Sequence, residues 1–228
     1  MPSRRDVFLN NKYYHVFNKT LDGRKLFNNT GISRLFLNLV KYYRSSKADI
    51  RYSIFRELPK ELKKEREKLL VYQKYFRVEL FAYCLMPTHF HFLVKQKMEK
   101  GVVRFMSDIV NSLTRNYNNL THRKGPLFIP QFKSRMIVSD EQFIHVSRYI
   151  HLNPYSSDIA ATTKAIIDYP YSSLLEYLDL KEEKMVNTEK ILSFFNNESE
   201  DYKKFVLDNA EYQKTLEEVK YINTERWI

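Results

Sequence analysis

The seven-residue apolar run Leu80–Met86, LFAYCLM, stops at Pro87-Thr88, and the chain restarts at once as HFHFLVKQK. Two β-rich runs separated by a two-residue turn predict an antiparallel hairpin, with the first strand nearly all apolar. Side chains alternate across a strand. His89 and His91 are therefore expected on one face of the second strand and Phe90 and Phe92 on the other.

The flanking segments extend this hairpin into a whole domain. KYYHVFNKT (12–20) is aromatic and β-rich, and after the turn-like LDGRK the segment GISRLFLNLVKYYR (31–44) carries Leu35, Leu37, Leu39, Val40 and Tyr43 in support of a helix. Beyond the hairpin, GVVRFMSDIVNSLTRNYNNLTHRK (101–124) spaces Val103, Met106, Ile109, Val110, Leu113 and Tyr117 as an amphipathic helix, and QFKSRMIV (131–138) supplies a fourth strand. The order is β-α-β-β-α-β, which predicts an α+β chain with a ferredoxin-like core: an antiparallel sheet backed by two helices on one face. Residues 46–75 carry dense mixed charge, with Leu58, Leu62, Leu69 and Leu70 roughly on one helical face, and are read as a charged helical insertion. Next comes SDEQFIHVSRYIHLNP (139–154), with Ser139 or Asp140 as N-cap, acids in the first turn and Pro154 as the stop. YPYSSLLEYL (169–178) and a weakly acidic helical tail follow. These boundaries divide the chain into a core domain at 1–155, with the insertion at about 46–75, and an accessory C-terminal helical region at 156–228.

Charge narrows the class of partner. The chain carries +11, but residues 181–228 hold 8 Lys/Arg against 11 Asp/Glu, so residues 1–180 carry +14. A body that basic is expected to bind a polyanion, because each phosphate neutralised by Lys or Arg releases condensed counterions. Cys84, the single cysteine, has no partner in the chain, which excludes a disulfide framework and makes a reducing, cytoplasmic setting the default expectation. The Leu80–Met86 run is far short of the roughly 20 residues a membrane span needs, and the amino terminus lacks the apolar core of a signal peptide, so neither a span nor export is expected.

Two imidazoles on one strand face suit a borderline divalent cation if a further ligand arrives from another element, and they equally suit a structural role. On the helix at 139–153, Tyr149 and Asn153 lie four apart and share a face, with His145 one turn earlier. A tyrosine near bound positive charge can serve as a nucleophile, since its phenol, with pKa near 10, is shifted toward phenolate; the alternative is a packing aromatic. Asn153 could complete a metal shell. His15 and His145 have no ordered motif behind them and read as structural. The basic positions Lys133 and Arg135 alternate on the fourth strand, while Arg115, Arg123 and Lys124 lie near the end of the second helix, where they could grip phosphates. Phe128, Phe132 and Phe143 read as core, although one ring could stack on an unpaired base.

These residues carry a family resemblance. LMPTHFHFLV resembles the His-hydrophobic-His motif of the HUH single-strand DNA endonucleases, and RYIHLNP with YPYSSLLEYL resembles the transposases that include the REP-associated tyrosine transposases. The similarity spans roughly residues 12–180 and includes GPLFIPQFKSR. It implies that His89, His91 and Asn153 hold Mg²⁺ or Mn²⁺, and that Tyr149 attacks a phosphodiester of single-stranded DNA to give a 5′-phosphotyrosine and a free 3′-OH. It further implies a single-stranded or hairpin DNA partner and admits a homodimer. The alternative within the same resemblance is a domesticated hairpin-binding protein that does not cut. Two departures stand out: Thr88 where relatives commonly have Asn, and Ile129-Pro130-Gln131 where they have a Gln-Gly-Arg-like segment, both bearing on DNA specificity.

Overall fold

The structure, a computed structural model, describes residues 7–215. Its strands are β1 (Tyr13–Lys19), β2 (Val78–Met86), β3 (His89–Gln96) and β4 (Lys133–Ile137). Its helices are α1 (Thr30–Tyr43), α2 (Tyr52–Arg56), α3 (Lys60–Leu70), α4 (Gly101–Thr121), α5 (Asp140–Ser156), α6 (Thr163–Ile167), α7 (Leu174–Tyr177), α8 (Glu189–Leu192) and α9 (Ser199–Leu207). The sheet order is β2-β3-β1-β4, and β1 pairs antiparallel with β4 so that Tyr13, His15 and Phe17 lie opposite Ile137, Arg135 and Lys133. The Asn11 amide donates to Gln96 O (2.7 Å) near one end of β1 and the Thr20 amide to Thr88 O (2.7 Å) at the other, so β3 also runs antiparallel to β1. This is the expected ferredoxin-like βαββαβ core with helices appended at its C-terminal side. The part of the expected tail helix beyond residue 215 lies outside the described residues.

The chain forms two compact units. One is drawn from residues up to Glu79 with Pro87–Phe90 and Val94–Ile137, the other from Leu80–Met86, His91–Leu93 and the chain from Val138 onward.

In the first unit, α1 starts where Asn29 accepts from the Ile32 amide (3.0 Å), a standard side-chain cap. It buries Ile32, Phe36, Leu39 and Val40, and Phe36 meets Phe90 of β3 at 4.7 Å between ring centroids. Phe27 and Phe128 close the same aromatic cluster, and each such ring contributes roughly 1.5–3 kcal/mol by leaving water. With Phe90 turned to α1, strand alternation turns His89 and His91 to the opposite face. The helix α4 buries Val102, Phe105, Met106, Ile109 and Leu113, while Val103 is 40% exposed. Met106, Ile109 and Leu113 are buried as expected, but Val102 and Phe105 at the helix start face inward in place of Val103, and Val110 and Tyr117 are only half-buried. At the helix start the buried Gln96 side chain accepts from the Val102 amide (3.1 Å). A Cβ at Gly101 would lie 2.3 Å from the Arg77 carbonyl oxygen, so only glycine lets the backbone pass this closely. The insertion forms α2 and α3 as helices, but of its leucines Leu62 and Leu69 are exposed and Leu70 is buried, together with Phe55.

In the second unit, every residue of β2 from Leu80 to Met86 is buried, as an unbroken apolar strand requires. Its outer edge is covered. The Leu85 amide donates to Tyr171 O (2.9 Å), the Ser173 amide to Tyr83 O (3.0 Å), and the Tyr83 amide to Ser173 Oγ (2.8 Å). Tyr169 and Tyr177 hydroxyls donate to the Leu85 and Phe81 carbonyls. The segment YPYSSLLEYL therefore satisfies an edge that would otherwise be open to strand addition. Glu176, fully buried, accepts from Tyr83 Oη (2.9 Å) and from the Met185 and Val186 amides (2.6 and 2.8 Å), with Lys181 Nζ at 3.6 Å. Burial and this carboxylate together push the Tyr83 phenol well above its ordinary range.

The helix α5 is capped by Ser139, which accepts from the Gln142 amide (3.1 Å), as its sequence predicts. Pro154 does not stop it. The helix runs on to Ser156, because a proline in the last turn forfeits only one donor, and the Pro154 carbonyl still accepts from Ile159 and Ala160 (2.9 and 2.8 Å). Beyond the helix, α9 docks by a chain of hydrogen bonds: Ser173 Oγ to His151 Nε2 (2.8 Å), His151 Nδ1 to Tyr202 Oη (2.8 Å), Tyr202 Oη to Ser147 Oγ (3.0 Å), and Ser147 Oγ to Ile144 O (2.7 Å).

Candidate active site

His89 and His91 stand two apart on β3 and project to one face. His91 is 5% exposed; the ring of Tyr149 on α5, in the same unit, stands edge-on to it at 5.7 Å between centroids and 88° between planes. This is the contact expected of the two motifs if they form one site. Tyr149 is placed by its own backbone: its carbonyl accepts from Asn153 Nδ2 (2.8 Å), one helical turn on, and from Gln213 Nε2 (3.0 Å). The double anchor holds the tyrosine's turn of α5. It also spends the amide nitrogen of Asn153, so that only the amide oxygen of this buried side chain could serve as a ligand.

His89 Nδ1 lies 3.0 Å from Thr88 Oγ1. In the tautomer where Nδ1 carries the proton and donates to the hydroxyl, the imidazole lone pair resides on Nε2, the arrangement in which a second side chain orients a metal-binding histidine. Among the described residues no group of three His, Cys, Asp or Glu side chains comes together to hold a metal ion. Imidazole nitrogens from His89 and His91 and an amide oxygen from Asn153 are the donor types these side chains carry, and they suit a borderline divalent cation.

The other histidines have structural surroundings. His15, on β1 opposite Arg135, is held down to a pKa of about 4, first by burial and then by that guanidinium. His145 pairs with Arg148 through Nδ1 (2.8 Å) and packs against Phe205. His151 has no exposed surface, and burial lowers its pKa to about 3. Although it lies within RYIHLNP, its place in a hydrogen-bond chain depends on Ser173 and Tyr202, which are distant in sequence.

Of the basic positions, Lys133 and Arg135 alternate on β4 and are exposed, on the face that carries His15 and Phe17 of β1. Arg123 is tied to its own turn, donating to Asn118 Oδ1 (3.3 Å) and to the Gly125 and Pro126 carbonyls (3.1 and 2.9 Å). Lys124 is exposed, and Arg115 lines a cleft with Arg51 and Arg56 of the insertion. Sequence reasoning passes over Arg51, Arg56 and Gln213, none of which lies in a motif. Phe128 and Phe143 are core residues, as expected, and Phe132 is partly exposed.

A ferredoxin-like sheet carries the His-x-His strand, and within one unit His91 of that strand meets a tyrosine borne on a helix. Residues 48–153, which include both histidines, Tyr149 and Asn153, match the family of IS200-like transposases, and over this stretch the chain is similar to that family. The fold is similar to a solved structure of a REP-associated tyrosine transposase bound to a REP hairpin, with a TM-score of 0.53 and 13% identity, over 81% of this chain and 90% of that one. No curated protein matches the chain. Among the described residues no helix is long and apolar enough to cross a membrane.

Proposed function

We propose that the protein cuts and rejoins single-stranded DNA, with Tyr149 as nucleophile and hairpin DNA as the recognised substrate. The reading is carried by the contact between His91 and Tyr149, 5.7 Å between rings, and is supported by the match to a transposase family over those residues. The fold neighbour bound to a REP hairpin points to the same substrate class.

In the proposed reaction the Tyr149 oxygen attacks the scissile phosphorus, a P–O bond to tyrosine forms, and the bond to the 3′ oxygen breaks. The phenol gives up its proton to solvent and the leaving 3′ oxygen takes one up, so the products are a 5′-phosphotyrosine and a free 3′-OH. Attack by a 3′-OH on that phosphotyrosine reverses the steps and releases the phenol, so rejoining needs no nucleotide cofactor. A divalent cation held by His89, His91 and the Asn153 amide oxygen would neutralise charge on the phosphate. Thr88 orients His89. Asn153 and Gln213, through the Tyr149 carbonyl, keep the nucleophile's helical turn in register. Lys133 and Arg135 on β4, and Lys124 beyond α4, would meet the phosphates of the bound strand.

The test is incubation with a labelled single-stranded hairpin oligonucleotide and Mn²⁺, followed by denaturing electrophoresis. A covalent protein–DNA band is expected from the wild type and none from Tyr149→Phe, whose hairpin affinity should be unchanged. An adduct that persists in Tyr149→Phe would overturn the assignment of the nucleophile.

A further inference from the structure

A cleft of ≈ 320 Å³ opens in the first unit between the insertion and α4, and its lining is chemically one-sided. On α4 the lining residues are Asp108, Asn111, Ser112, Arg115, Asn116 and Asn119, spaced as one helical stripe and every one polar. This is the polar face of an amphipathic helix, and where it borders the cleft it can offer hydrogen bonds to a ligand. From the insertion come Arg51 and Arg56, beside Tyr52. The two carboxylates in the lining are already used, Asp49 by Arg66 (2.5 Å) and Asp108 by Arg77 (2.7 Å). Arg51, Arg56 and Arg115 make no ion pair among the described residues, so the cleft gathers three guanidiniums whose charge nothing in its wall offsets. At its side the Asn116 amide oxygen is buried and accepts no hydrogen bond among the described residues.

We infer that this cleft is a second nucleic-acid site, which holds one nucleotide unit of a single-stranded DNA segment outside the strand engaged at Tyr149. Its volume is at the small end of ligand pockets, enough for a nucleotide and too little for a duplex. Guanidiniums grip phosphate in forked geometry, which Lys does not reproduce. The exposed Asn111 and Asn119 side chains offer amide donors and acceptors to a base or sugar. The inference rests on the DNA-processing reading for its ligand. In this role the insertion extends the DNA footprint and so strengthens binding of substrates with flanking single strand.

The test is fluorescence anisotropy with a labelled single-stranded oligonucleotide, titrated with salt. Each phosphate contact on a single strand contributes about 0.7 to the slope of log affinity against log salt. Replacing Arg51, Arg56 and Arg115 together by Ala should reduce that slope by about 2 and weaken binding at least 10-fold at low salt. Replacing Asn111 and Asn119 together by Ala should weaken binding by one factor at every salt concentration, with the slope intact. A control with three exposed insertion charges outside the cleft, Lys60, Lys64 and Lys68, replaced by Ala should leave the slope near that of the wild type. An equal loss in that control would reduce the effect to net charge and overturn the inference, as would an unchanged slope in the arginine variant with its circular dichroism intact. A deoxynucleoside monophosphate in millimolar excess should fail to displace the oligonucleotide; displacement at concentrations near the oligonucleotide's own would make the cleft a free-nucleotide site and overturn the strand assignment. Failure of the wild type to form a covalent adduct counts against the cleavage reading alone, because the slope difference reads the cleft.

Discussion

His151→Phe should destabilise the protein near neutral pH and hardly at all near pH 5. The ring is fully buried and bridges Ser173 Oγ and Tyr202 Oη, both at 2.8 Å. Phenylalanine fills nearly the same space and keeps the contacts with Tyr177 and Tyr202, so little cavity term arises. Two hydrogen bonds are lost, at about 1 kcal/mol each, and neither hydroxyl is stranded, because Ser173 still meets the Tyr83 amide and Tyr202 still meets Ser147. The expected loss at pH 7.5 is about 2 kcal/mol. Acid then acts on the wild type alone. The His151 pKa falls from 6.5 to about 3 on folding, so below 6.5 the unfolded chain binds the proton more readily, and stability declines with acidification over the window from 6.5 to 3. The decline is about 1.36 kcal/mol per pH unit. His15, lowered to about 4, adds its own decline in both proteins and cancels from the comparison. The 2 kcal/mol gap should therefore close about 1.5 units below 6.5, near pH 5. Urea unfolding followed by far-ultraviolet circular dichroism, at half-unit steps from pH 7.5 to 4.5 with a chelator present, measures the gap directly. A gap that stays constant across that range would refute the reasoning, because His151 would then be titrating normally in the folded state.

Gly101→Ala should cost about 1–3 kcal/mol, since the new methyl would sit 2.3 Å from the Arg77 carbonyl oxygen and force the start of α4 to shift; a melting temperature equal to that of the wild type would show that the backbone yields freely. Thr88→Val keeps the shape of the turn and removes the hydroxyl beside His89 Nδ1. It should weaken Mn²⁺ binding 10–100-fold in titration calorimetry, and a Kd within twofold of the wild type would remove Thr88 from the site.

The strands and core helices follow from local periodicity, which is why the β-α-β-β-α-β order is legible along the chain. His89 and His91 share a face because a strand alternates, and Tyr149 and Asn153 share one because a helix turns in 3.6 residues; both are facts of local geometry. The meeting of His91 with Tyr149 is not local. It joins residues 58 positions apart, and motif resemblance suggests it where periodicity cannot. The middle of the α4 stripe, Met106, Ile109 and Leu113, is legible in the sequence, but at the helix start several apolar residues compete for the inward face, and packing selects Val102 over Val103. Pro154 reads as a stop because the sequence does not display what meets the carbonyls at the helix end; the chain turning back, with the Ile159 and Ala160 amides donating to the Pro154 carbonyl, does. YPYSSLLEYL is recognisable as a motif, yet its cover of the β2 edge depends on backbone groups nearly 90 residues away. Three arginines from α2, its N-terminal flank and α4 gather around one cleft for the same reason: charge can be counted along a chain, but whether a carboxylate reaches a given guanidinium is decided only when the chain is folded.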